Sequence, residues 1–160
     1  MGALPFGENL HRQHFGTLDY PLCDQVLRTN TLGTVRMTEA FISAVASSAQ
    51  RKIINLSSTT GSITESSREA LAYTTSKAAL NMSMATLAKE LRRAKEPGRN
   101  EIIIGLIHPG VVATDFAKNV PIPMISPEES AAAVIKVIDG YTSVKQSGDF
   151  MSYTGKELPW

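Results

Sequence analysis

With 160 residues, 42% of them hydrophobic and 19% charged, and a formal net charge of +1, the chain fits one domain with a modest core, and its charge balance argues against nucleic acid or an anionic membrane surface as a partner. Its one cysteine, Cys23, excludes an internal disulfide, suits a reducing compartment and reads as a small, partly buried apolar residue. No apolar run reaches the roughly 20 residues of a spanning helix, and Met1–Phe6 has neither a signal-peptide core nor a myristoylation pattern, so a soluble cytoplasmic protein is expected.

Residues 1–22 mix Gly, Pro and polar residues without a sustained period and read as a loop or loosely held arm. His11 and His14 lie three apart but have no acidic or cysteine companion at ligand spacing, so no metal site is expected. From Asp24 to Ser47 a helical period places Val26, Asn30, Gly33, Met37, Ala40 and Ala44 on one stripe and turns Asn30 inward. A glycine inside a helix costs about 1 kcal/mol against alanine, so Gly33 marks a close approach or a local distortion beside Asn30. A core asparagine bonded to neighbouring backbone would explain Asn30 equally well.

Ile53-Ile54-Asn55-Leu56-Ser57-Ser58 is a candidate buried strand that ends in two hydroxyls and runs into Thr59-Thr60-Gly61. In open α/β sheets ligands bind at the carboxyl ends of strands, where these hydroxyls fall, although serines in turns also commonly satisfy local backbone. A polar loop follows, and then a long helix is expected from Ala72 to about Ala94, stopped by Glu96-Pro97-Gly98. Tyr73, Lys77, Leu80, Met84, Leu87 and Leu91 share its buried stripe. The first turn of that stripe thus pairs a phenol and an ammonium at i, i+4. A phenol titrates near roughly 10, and an adjacent cation favours the phenolate, so Tyr73 is expected to exchange protons near neutral pH.

Glu101–Ile107 is the strongest strand signal, apolar on both faces, and leads into His108-Pro109-Gly110 and Val111–Asp115. Pro121 and Pro123, among apolar residues of 120–126, suit a loop over a small ligand or an ordinary connector. The stretch 113–124 offers a mostly apolar lining with Asp115 and Lys118. Ser126-Pro127-Glu128-Glu129 is a capping box opening a helix to Asp139, and Gly148–Tyr153 is a last short strand. Helices alternating with strands, joined by crossovers of this length, predict an α/β fold with parallel strands and right-handed connections.

Four motifs in series, Asn30-x-x-Gly33, Asn55-Leu56-Ser57-Ser58, Tyr73-x-x-x-Lys77 with Ser76, and Pro109-Gly110-x-x-x-Thr114, resemble the short-chain dehydrogenase/reductase family. The ending Tyr153–Trp160 resembles its carbonyl-reductase and C-factor-like branch. The resemblance implies NAD or NADP as cofactor and hydride transfer with a small carbonyl or alcohol substrate. It makes Tyr73 the general acid/base, Lys77 the residue that lowers the tyrosine pKa and bonds the cofactor ribose, and Ser58, rather than its neighbour Ser57, the donor to the reacting oxygen. Asn30 would support a water in the proton path, and Pro109, Gly110, Val112 and Thr114 would hold the nicotinamide. It also implies a homodimer or homotetramer through the helices at 24–47 and 72–94.

The resemblance begins at about Asp24. No Gly-x-x-x-Gly-x-Gly occurs in the sequence, so a Rossmann-like doubly wound sheet truncated to its C-terminal half is expected, a single partial domain over residues 1–160. The family's strand order 3-2-1-4-5-6-7 would be reduced to 5-6-7, with an unpaired edge at Ile53–Ser57 and no surface for the adenosine half of the cofactor, which weighs against activity of the isolated chain. A non-catalytic dimerising protein derived from the same fold is the competing reading. A hydrolase built on Ser58 and His108 lacks the Gly-x-Ser-x-Gly elbow.

Overall fold

Three aliphatic runs become three parallel strands in the computed structural model, which describes residues 10–66, 70–117 and 122–160. Strand β1 (Lys52–Leu56) pairs with β2 (Ile103–His108), and β2 with β3 (Phe150–Ser152), in the order β1-β2-β3. Register aligns Ile54 with Gly105 and Ile107 with Met151. Parallel pairing requires long connections, and helices supply them. These are α1 (Tyr20–Leu27) and α2 (Gly33–Ser47) before β1, α3 (Leu71–Leu91) between β1 and β2, and α4 (Pro127–Gly140) between β2 and β3.

Central β2 is covered on both faces. Ile104 and Leu106 meet Leu80, Met84, Ala88 and Leu91 of α3 together with Phe150, while Ile103 and Ile107 meet Val134 of α4 and Tyr141. Full burial of such side chains stabilises the fold by about 1.5–3 kcal/mol each, so the β2–α3 contact is its main axis. α4 opens with the expected capping box, Ser126 accepting from the Glu129 N–H at 3.1 Å and Glu129 accepting from the Ser126 N–H at 2.9 Å. At the far end, Leu158 N–H bonds Phe150 O, and the Trp160 carbonyl accepts from both the N–H (3.2 Å) and the hydroxyl (2.8 Å) of Thr64.

Three differences from the sequence expectation have local causes. The first helix starts at Tyr20, four residues before Asp24, because Asp19 caps it by accepting from the Leu22 N–H and Pro21 fits its first turn. Helix α3 ends at Leu91 rather than near Ala94, and Arg92 turns its guanidinium onto the Ser147 carbonyl. Between α1 and α2 the chain widens into a π-helical turn over Arg28–Leu32. A Cβ on residue 33 would lie 3.2 Å from the Arg28 carbonyl oxygen, so glycine eases this turn. The wider turn holds more residues than an α-turn and rotates the inward face beyond it. Thr31, Thr38 and Ala46 are buried, whereas Met37, Ala40 and Ala44 of the expected stripe are exposed. The stripe of α3 keeps its phase: Leu80, Met84 and Leu91 are buried and Leu87 packs against them.

Candidate active site

Beyond Leu56 the chain leaves the sheet with Ser57, whose N–H still donates to Ile107 O at 2.8 Å. Its hydroxyl donates to the Asn81 Oδ1 of α3, and Asn81 Nδ2 in turn donates to Gly61 O at 3.3 Å. This pins a short turn, Thr59–Gly61, flat against α3. Gly61 is required by contact: a Cβ there would stand 2.8 Å from the Lys77 carbonyl carbon and 2.9 Å from its Cβ. Ser58, between the pinned residues, accepts from Thr60 N–H and Thr60 Oγ1 and hydrogen-bonds the Tyr73 phenol.

Tyr73 and Lys77 face the same way, one helical turn apart. The Lys77 Nζ lies 5.8 Å from the centre of the Tyr73 ring and donates to Leu56 O at 2.9 Å. Phe116 packs on the ring from the other chain segment, centroids 5.5 Å apart and planes tilted by 50°. Together these groups leave Tyr73 half-buried. The expectation that the amine makes it acidic is therefore corrected: desolvation pushes Tyr73 up to about 12, opposed by the Ser58 hydrogen bond. Burial also pulls Lys77 down to about 8.

The segment after β2 forms the facing wall. Gly110 takes a left-handed backbone (φ +85°) where a Cβ would strike Ile125 and Tyr153 at 2.8–3.0 Å. Ser130 Oγ donates to Pro109 O at 2.7 Å, and Ile125 brackets the chain by bonding Val111 O and Ala113 N–H. This holds Pro109, Gly110 and Val112 partly buried and Thr114 exposed. Asp115 is exposed; Lys118 and Pro121 lie outside the described residues.

Asn30 is brought to the same helix end but not to the phenol. Its Nδ2 donates to Ser76 Oγ at 3.0 Å, Ser76 Oγ donates to Tyr73 O at 2.7 Å, and Thr31 Oγ1 donates to Ser76 O at 2.8 Å. Asn30 thus braces the first turn of α3. Two residues were missed in the sequence. Asn81 is four after Lys77, on the stripe already drawn, and was readable there; Phe116 reaches Tyr73 only through tertiary folding. His108 Nδ1 is buried without a hydrogen-bond partner among the described residues, so no Ser–His pair forms through it, and burial lowers its pKa to about 4.

A parallel sheet between helical layers, with a phenol, an ammonium and a hydroxyl gathered at the carboxyl ends of its strands, defines the chain as part of a Rossmann-like α/β protein. Residues 9–123 match the family model described as short chain dehydrogenase, and the chain belongs to that family. It is 32% identical over 146 residues to C-signal of Myxococcus xanthus, covering 91% of this chain and 82% of that protein. Over 148 residues it is 34% identical to 1-hydroxy-2-glutathionyl-2-methyl-3-butene dehydrogenase of Rhodococcus sp. (strain AD45), covering 91% of this chain but 62% of that one. Among solved structures it resembles the NADPH-bound carbonyl reductase from chicken fatty liver (TM-score 0.81, 29% identity) and the carbonyl reductase Sniffer of D. melanogaster (TM-score 0.79, 27% identity). It covers 94% and 92% of itself in these matches, and spans 62% and 60% of the two structures.

Proposed function

We propose that this chain carries the proton-transfer centre of an NAD(P)-dependent oxidoreductase interconverting a small carbonyl compound and its alcohol. The observation that carries this reading is the Ser58–Tyr73 hydrogen bond, with Lys77 one turn further along, at the carboxyl ends of β1 and β2. The dehydrogenase and carbonyl-reductase relatives support it, as does the NADPH bound to the chicken enzyme.

The coenzyme, when bound, supplies or accepts the hydride. Pro109, Gly110, Val112 and Thr114 would hold its nicotinamide and Lys77 the adjoining ribose; the pinning of that segment by Ser130 and Ile125 suits the task. The sequence contains no glycine-rich turn for the pyrophosphate, so weak coenzyme binding is expected of the 160 residues alone.

The chain's own residues act on the substrate oxygen. At a pKa of about 12 Tyr73 is a neutral phenol at physiological pH, which favours its role as an acid: it gives its proton to a carbonyl oxygen as negative charge develops there. Ser58 would turn its one hydroxyl proton from the phenol to the same oxygen when substrate is bound. The Lys77 cation over the ring lowers the cost of the phenolate left behind, an effect that fades as pH rises through about 8 and the ammonium deprotonates. Asn30, through Ser76, keeps the turn carrying Tyr73 in place.

The test is NADPH or NADH oxidation by the purified chain with a panel of small aldehydes and ketones. Slow turnover, saturating only at high coenzyme concentration, is expected. Tyr73→Phe should lower it by at least about 100-fold while leaving the melting temperature within a few degrees. A rate that survives Tyr73→Phe, or no oxidation at millimolar coenzyme, sinks the proposal.

A second reading has its own observation. Leu32, Met37 and Phe41 at α2, and Leu71 and Met82 on α3, are large apolar residues each 45% exposed or more, which favours association of copies through these helices. A purely interacting protein would keep its association in Tyr73→Phe and have no turnover to lose.

A further inference from the structure

Gln13 has no part in the site as described, yet it is only 3% exposed. Its carboxamide Oε1 accepts the N–H of Tyr73 at 3.1 Å, and its main-chain carbonyl accepts the N–H of Leu71 at 3.0 Å. Leu71 and Tyr73 are the first and third residues of α3.

The first four N–H groups of any helix lack an intrahelical acceptor. In α4 the Ser126 side chain meets that need locally. α3 has no such residue: its N-cap is Ala70, in a left-handed backbone (φ +53°) and without a side-chain hydrogen bond to offer. Gln13 substitutes from 60 positions away, and one of the two groups it satisfies is the backbone of the phenol-bearing residue itself.

The stretch that delivers Gln13 is closed on itself. Arg12 and Asp19 form an ion pair, Asp19 N–H donates to Arg12 O at 3.0 Å, and Thr17 Oγ1 donates to His11 O at 2.8 Å. Immediately after it, Leu22 and Val26 of α1 pack on Ala72 in the same first turn of α3. Residues 10–19 are therefore a clamp on that turn rather than a loosely held arm.

We propose that Gln13 is a positioning residue for Tyr73, fixing the first turn of α3 so that the phenol stays against Ser58. This rests on the reading of Tyr73 as the proton donor, but the placement is testable without turnover.

The experiment uses the full 160-residue chain, isotopically labelled, as wild type, Gln13→Glu and Gln13→Met. In Gln13→Glu an acceptor remains, so the Tyr73 amide proton resonance should shift as the introduced carboxylate ionises. Its apparent pKa reports the balance between burial, which raises it above roughly 4.3, and the helix N-terminus, which favours the anion. In Gln13→Met the acceptor is gone: the Tyr73 amide should exchange about tenfold faster, with Leu80 and Met84 keeping wild-type protection. The nuclear Overhauser contacts of the Tyr73 ring with Ser58 and Phe116 should weaken in Gln13→Met and return in Gln13→Glu.

A Tyr73 amide indifferent to the introduced carboxylate overturns the proposal. So do ring contacts unchanged in Gln13→Met, or protection lost uniformly along α3, which would make Gln13 a residue of general stability only. Where turnover is measured, Gln13→Met should lower kcat with KM nearly unchanged. A Tyr73→Phe variant that turns over like wild type removes the proton-donor reading instead, and leaves the placement of Gln13 to be judged by the resonances.

Discussion

His108 is a half-buried imidazole whose Nδ1 finds no partner among the described residues, and burial holds its pKa at about 4, against an ordinary 6.5. Between those values the unfolded chain binds a proton that the folded chain refuses, so stability is lost as pH falls from 6.5 towards 4, by less than about 1.4 kcal/mol per pH unit from this one group. Denaturant unfolding at pH 7, 6, 5 and 4.5 should show a shallower fall for His108→Leu than for wild type; parallel curves would contradict the assignment. Asn81 is a different case, a buried amide that joins Ser57 to the Gly61 turn. Asn81→Leu should cost about 1–3 kcal/mol by leaving the Ser57 hydroxyl and Gly61 carbonyl short of partners, and should release Ser58 from Tyr73, read as lost turnover beyond the loss of stability. The pairing of Tyr73 with Lys77 was legible in the sequence because i, i+4 spacing is a local property. The direction of the phenol's titration was not, since it depends on how much water Phe116 and the Ser58 turn exclude, and these reach Tyr73 only in the folded chain.

At the scale of elements, helix existence and the parallel order of the strands follow from periodicity, from Ser126-Pro127-Glu128-Glu129 and from the length of the crossovers. Phase was the weak point. Gly33 signals a distortion, but an α-helical period has no place for the extra residue of a π-turn, so beyond Leu32 the inward face lies one position later than that period predicts and Met37, Ala40 and Ala44 face outward. The Thr59–Gly61 turn shows the same sensitivity in miniature. Its close seat on Lys77 leaves no space for a methyl group, so Gly61→Ala should destabilise the chain by about 1–3 kcal/mol. It should also lift Ser58 from the phenol, so that turnover falls more than the fraction unfolded explains; a variant with wild-type stability and rate would show that the turn yields freely.

For the whole molecule, the sheet order leaves β1 with β2 on one side and no strand on the other among the described residues, as the sequence suggested. Leu56, at the end of that edge, is 53% exposed, and the helical face bearing Met37 and Phe41 is exposed as well. Two exposed apolar surfaces are therefore candidates for contact between copies. Sedimentation of wild type, Phe41→Lys and Leu56→Lys separates them: association that disappears with Phe41→Lys alone belongs to the helices, and association lost only with Leu56→Lys belongs to the strand edge. A last property comes from the tie between Thr64 and the Trp160 carbonyl, which joins positions 96 apart. Tension applied to residues 153–160 is shared between that tie and β3, because the Trp160 ring also packs on Phe150 and Leu158 N–H bonds the Phe150 carbonyl. Shear on this stretch should therefore loosen the segment just past the Ser58 turn together with the β3 margin of the sheet.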